Sequence, residues 1–139
     1  MNKSFALEQE SKKIEPDKLF TVRNYNKLRR LPKGELLYMG VDDRILLYQF
    51  LDNDAPRNSL KGMIVDYSHI AKLIVLDYDS LGISKYLKFI SRTSGSTNKI
   101  SGNGLAHIYS VMNEEFLYEL SLLHKNIQEV VIEKVAFGL

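Results

Sequence analysis

The chain has no cysteine among its 139 residues. That excludes disulfides, thiolate metal sites and cysteine nucleophiles outright, and it suits a reducing compartment. Tryptophan is also absent, so the aromatic character rests on eight tyrosines and six phenylalanines. No apolar run approaches the ~20 residues that span a bilayer. The opening MNKSFALEQESKK lacks the apolar centre of a signal peptide. The expectation from these absences is a soluble, cytoplasmic protein. Internal repeats and low-complexity tracts are missing too, which sets repeat architectures aside.

What is present is ordinary in amount and uneven in placement. An apolar fraction of 45% with 26% charged residues is that of a globular chain able to build its own core. The net charge of +2 hides a block pattern. Residues 1–40 carry nine Lys/Arg against five Asp/Glu, residues 41–82 four against seven, residues 83–99 four against none, and residues 100–139 two against five. Two basic blocks meeting in space would form a patch for an anionic partner, whereas spread apart they are a solvated surface.

Turn residues divide the chain into short segments. Residues 1–17 are polar, and Ala6–Lys13 has too thin an apolar stripe to dock, which predicts a flexible or weakly helical tail followed by one domain over 18–139. Leu19–Tyr25, Glu35–Met39, Arg44–Leu51, Gly62–Tyr67, Ala71–Tyr78, Lys85–Arg92 and Leu105–Met112 read as strands. Gly40–Asp43 has hairpin chemistry, Asp52–Ser59 is loop, Asp79–Gly82 turns the chain, and Ser91–Gly104 is a long polar loop. Leu73–Leu76 is a continuous apolar run, as in a strand covered on both faces.

Asn113 is a good N-cap, and Glu114 and Glu115 suit the positive end of a helix. Phe116, Leu120, Leu123 and Ile127 then form one helical stripe. Residues 128–137 either continue that helix or, through Val130–Ile132, form a last strand. The fold expected is mainly β (a β-rich α+β class), a small, partly open antiparallel barrel of six or seven strands with one C-terminal amphipathic helix.

No catalytic motif stands out. His69, His107 and His124 have no zinc spacing. Asp42, Asp43, Asp52 and Asp54 lack the EF-hand ladder and read as turn formers. Gly95–Gly104 has no closing Gly-Lys-Ser/Thr of a phosphate loop. Neither a cofactor nor a metal is expected, and an enzyme would need a spatial cluster that no motif announces. Tyr38, Tyr48, Tyr67, Tyr78, Tyr86 and Tyr109 fall in or beside the strands, where each ring fills a sheet rim or lines a groove.

Two family resemblances sharpen these expectations. Gly34-Glu35-Leu36-Leu37-Tyr38-Met39-Gly40, then Ile64-Val65-Asp66-Tyr67-Ser68-His69-Ile70 with Leu73-Ile74-Val75, then Tyr109–Phe116, resemble in order the phrases of bacterial pleckstrin-homology-like and GRAM-type domains. That resemblance covers about residues 34–127 and implies a barrel plugged by a helix, binding lipids or proteins without catalysis. Residues 130–139 extend past the expected end.

The second resemblance is to PilZ domains, which bind cyclic di-GMP through an Arg-x-x-x-Arg stretch and Asp-x-Ser-x-x-Gly. Asp66 and Ser68 match, Ala71 replaces the glycine, and Lys33 stands where the second arginine belongs after Arg29 and Arg30. Lysine neither stacks nor forks as arginine does.

Three readings follow. The first is a non-catalytic, pleckstrin-like module that engages a protein partner or an anionic surface such as lipid. The second is a cyclic-dinucleotide sensor using Arg29, Arg30, Lys33, Asp66 and Ser68. The third is a nucleic-acid binder using Lys27–Lys33 and a basic patch of Lys85, Lys88 and Arg92.

Overall fold

Ile83, Tyr86, Leu87 and Ile90 stand at i, i+3, i+4 and i+7, and in the computed structural model of the chain all four are buried along a helix. The spacing that reads as β alternation over Lys85–Arg92 is thus the apolar face of a helix. The structure describes residues 22–31, 39–52, 66–92 and 98–138. These hold seven helices, and no strand occurs among the described residues.

The chain divides into two compact units, Met1–Val65 and Asp66–Leu139. In the first, α1 (Val22–Arg29) packs on α2 (Val41–Asp52). Tyr25 meets Phe50 with ring centroids 5.8 Å apart. Lys27 pairs with Asp43 at 3.4 Å, a surface contact worth well under ~1 kcal/mol. Gly40 is not the corner of a hairpin. Its carbonyl accepts the Arg44 N–H and starts α2, and Asp42 and Asp43 fill the first turn, where the helix dipole favours carboxylates. From Arg44 to Leu51 all but Leu46 are buried, so α2 is covered on nearly every side and shows little amphipathic signal.

The second unit is built from α3 (Tyr67–Leu76), α4 (Ser80–Ser91), α5 (Asn98–Val111), α6 (Asn113–Ser121) and α7 (Lys125–Gly138). Its most extensive packing is that of α5 against α3 and α7, and α4 packs mainly on α6 and α7.

Asp79 makes the corner between α3 and α4. Its N–H donates to the Ile74 carbonyl and the Tyr78 N–H to that of Val75, which closes α3 in a Schellman motif. Tyr78 occupies the left-handed position of that motif, with φ at 50°. The Asp79 carboxylate then caps α4 by accepting the Gly82 N–H at 3.0 Å.

Three helices meet at Gly104. The Tyr86 hydroxyl from α4 donates to the Tyr67 carbonyl of α3 at 3.2 Å. Gly104 of α5 lies against both, and a Cβ there would fall on that hydroxyl and 2.9 Å from the Tyr67 oxygen. Burial, then the neighbouring Tyr67 and Asp66, push the Tyr86 hydroxyl well above its usual pKa, so it is a standing donor.

Several expectations are corrected here. The barrel is absent: Leu19–Tyr25 lies partly in α1, and Arg44–Leu51, Ala71–Tyr78, Lys85–Arg92 and Leu105–Met112 fall on α2, α3, α4 and α5. Pleckstrin-like architecture goes with it. Residues 98–104, read as polar loop, are the first half of α5. The stripe starting at Phe116 spans two helices with a break at residues 122–124, and Val130–Ile132 is helical in α7. Met112, not Asn113, is the N-cap of α6. Tyr48 and Tyr86 are fully buried between helices rather than at a sheet rim. The expected tail over 1–17 and the strand segments Glu35–Tyr38 and Gly62–Val65 lie outside the described residues.

Candidate functional site

The breaks that separate α5, α6 and α7 leave a concavity in the second unit. Met112 interrupts the helical run for one residue, and its N–H still donates to the Ile108 carbonyl at 2.7 Å. Glu114 and Glu115 occupy the first turn of α6. After Ser121 the chain turns, and the His124 Nδ1 accepts the Asn126 N–H at 3.2 Å, capping α7. The Gln128 amide donates back to the Leu123 carbonyl at 2.8 Å and fixes the turn. α6 packs on α4 and α5, as α7 does, and neither takes the other as a principal partner. A groove opens between them.

The groove has a volume of about 300 Å³ and is lined by Tyr109, Phe116, Leu117, Leu120, Ile132, Val135 and Ala136. Phe116 and Leu120 are buried and form its floor. Tyr109 meets Phe116 edge-on, centroids 5.6 Å apart at 82°, which sets the ring positions at one end. Leu117 is 49% exposed and Ile132 58%, so the two sides remain open to solvent. Only Tyr109 among the lining residues carries a polar side-chain atom.

Acids flank the opening. Glu114, Glu129 and Glu133 are exposed and stand three residues before Leu117, Ile132 and Ala136 respectively, the spacing of surface neighbours on a helix. Over residues 113–138 five acids face two lysines, and one of these, Lys134, is 3% exposed. Burial lowers the Lys134 pKa, and Glu133 opposes that shift. Glu119 turns toward α4; its carboxyl is raised by burial, with Lys88 pulling the other way.

The residues singled out in the sequence fall in both units. Arg29 is exposed at the end of α1 with its guanidinium 5.9 Å from the Tyr25 ring centroid, and Arg30 follows it, also exposed. Lys33 lies outside the described residues. Asp66 caps α3, its carboxylate accepting the His69 N–H at 3.0 Å, and Ser68 is half-buried in the first turn. Arg29 and Arg30 belong to one unit, Asp66 and Ser68 to the other. Lys85 and Lys88 lie on α4 and Arg92 is its C-cap; Lys85 is only 6% exposed, so the exposed basic residues of the three are Lys88 and Arg92.

Among the described residues no group of three or more His, Asp or Glu side chains is placed to hold a metal ion, and no helix is long and apolar enough to cross a membrane. Of the groove residues the sequence had singled out Tyr109, as a ring at a rim or groove, and Phe116 and Leu120, as an apolar stripe; Leu117, Ile132, Val135 and Ala136 were missed, and the signal available was Leu117, a large apolar residue beside that stripe rather than on it. No protein-family model, no curated protein and no solved structure matches the chain.

Proposed function

We propose that the chain is a non-catalytic binding module whose second unit receives an α-helical segment of a protein partner in the α5–α6–α7 groove. The observation that carries this is an open, almost wholly apolar concavity with Leu117 and Ile132 left half-covered at its sides. Completing the burial of two such side chains contributes about 1 kcal/mol each. A small substrate would need convergent polar groups to orient it, and the lining offers Tyr109 alone. An amphipathic helix needs only a stripe at i, i+3, i+4 and i+7, which an apolar trough between two helices accepts.

The test is selection from a library of helix-forming peptides about four turns long, followed by amide-shift mapping of the winners. Enriched peptides are expected to shift Tyr109, Phe116–Leu120 and Ile132–Ala136. Their affinity is expected to fall at least about tenfold in the Leu117→Glu/Ile132→Glu variant, which substitutes exposed positions and keeps its helix content. Failure to enrich any peptide over that variant, or shifts elsewhere, refutes the reading.

A further inference from the structure

We infer that the helix received by this groove is basic, an apolar stripe bordered by Lys and Arg, presented by another protein. The inference rests on the groove reading above and adds the chemistry of the occupant. Each acid of the rim, Glu114, Glu129 and Glu133, is exposed and lies one turn before a lining residue. A helix seated on Phe116, Leu117, Leu120, Ile132 and Val135 therefore runs between carboxylates of α6 and of α7.

The cations of the two helices offset only part of this rim. Lys125 stands four residues before Glu129 and Lys134 lies beside Glu133, whereas α6 carries no Lys or Arg and the acids of residues 113–138 outnumber the lysines five to two. An acidic border around an apolar trough repels nucleic-acid phosphate and anionic lipid, and it attracts a cationic helix. It also selects against acidic amphipathic helices, so the rim sets specificity while the apolar floor supplies most of the affinity.

Flank composition in the peptide selection decides the point. Lys and Arg are expected to be enriched beside the apolar stripe. Winners should lose about tenfold in affinity in the Glu114→Lys/Glu129→Lys/Glu133→Lys variant, three rim pairs of ordinary strength combined. The Gln triple variant, which removes charge without adding any, is expected to lose a smaller factor in the same direction. Affinity should also fall as salt rises from about 0.1 M to about 1 M, where the screening length shrinks from ~10 Å to ~3 Å.

Winners with neutral or acidic flanks, or affinities untouched by both triple variants, overturn the basic-helix inference and leave the groove reading standing. No enrichment over the Leu117→Glu/Ile132→Glu variant removes the groove reading itself. A dimer in sedimentation that Ile132→Glu dissolves would show a second copy as the occupant, and this too overturns the inference.

Discussion

Replacing Gly104 by alanine should destabilise the second unit, although the same change in an exposed helix stabilises it. Alanine is favoured over glycine in a helix interior by about 1 kcal/mol. At Gly104 the added methyl would fall on the Tyr86 hydroxyl and lie 2.9 Å from the Tyr67 carbonyl oxygen. The oxygen belongs to the backbone of α3 and moves only if that helix moves. Forcing a methyl into such a contact costs about 1–3 kcal/mol. Turning the Tyr86 hydroxyl away breaks its bond to Tyr67 and leaves a buried donor unpaired, a further loss of about 1–3 kcal/mol. Less the propensity gain, the net loss is about 1–5 kcal/mol, with about 3 as the centre. Urea unfolding followed by circular dichroism reads it directly, as a midpoint lowered by roughly 1–2 M at an ordinary slope.

The Tyr86→Phe background sharpens the test. That change alone removes one hydrogen bond, about 1 kcal/mol, and vacates the space the methyl would enter. Gly104→Ala should then cost less than in the wild type, so the two substitutions are not additive. A Gly104→Ala protein as stable as the wild type, or an additive cycle, would refute the three-helix junction described here.

Other outcomes follow from single residues. Tyr78 is 70% exposed and holds the left-handed position after α3, so Tyr78→Gly should raise the unfolding free energy by about 1 kcal/mol in a urea titration; a loss would contradict the Schellman closure. Leu120→Asp puts a carboxylate into the buried face of α6 and should unfold the second unit, seen as a lost cooperative transition; an unchanged melting temperature would sink the placement of that face. Burial lowers the Lys134 pKa, so the unfolded chain binds that proton more tightly than the native one. The penalty is whole below the folded pKa and is relieved as pH rises through it toward the ordinary lysine value. Wild type should therefore gain stability relative to Lys134→Met as pH rises toward the ordinary lysine value, and a pH-independent difference would exclude the effect.

The residues alone marked the turn at Asp79–Gly82 and, within one residue, the start of α6, and they led to the wrong kind of element for most of the described residues. Asp79–Gly82 was legible as a change of direction because Asp accepts from a nearby N–H whichever element follows. The acids after Asn113 were legible for a similar local reason. Leu73–Leu76 was not, since a continuous apolar run fits a strand covered on two faces or a helix buried in a core, and spacing does not separate them. Lys85–Arg92 carries both periods at once, and its helical face becomes plain only when Ile83 and Tyr86 are counted with it. In the candidate site, Phe116 and Leu120 were visible as a stripe, while the groove beside them was invisible, because it exists only where α6 and α7 diverge.

Composition and local chemistry sufficed to exclude cysteine chemistry, to leave no catalytic motif in view and to mark Asp79–Gly82 as a change of direction. Those conclusions depend on side-chain types and on neighbours three residues away. Helix over strand, the folding of the glycine-containing stretch 98–104 into α5 and the opening of the groove were settled by packing between segments far apart in the chain. Gly104 is the plainest case. Its intrinsic preference is against a helix, and α5 runs through it because only a residue without a Cβ lets Tyr86 and Tyr67 approach so closely.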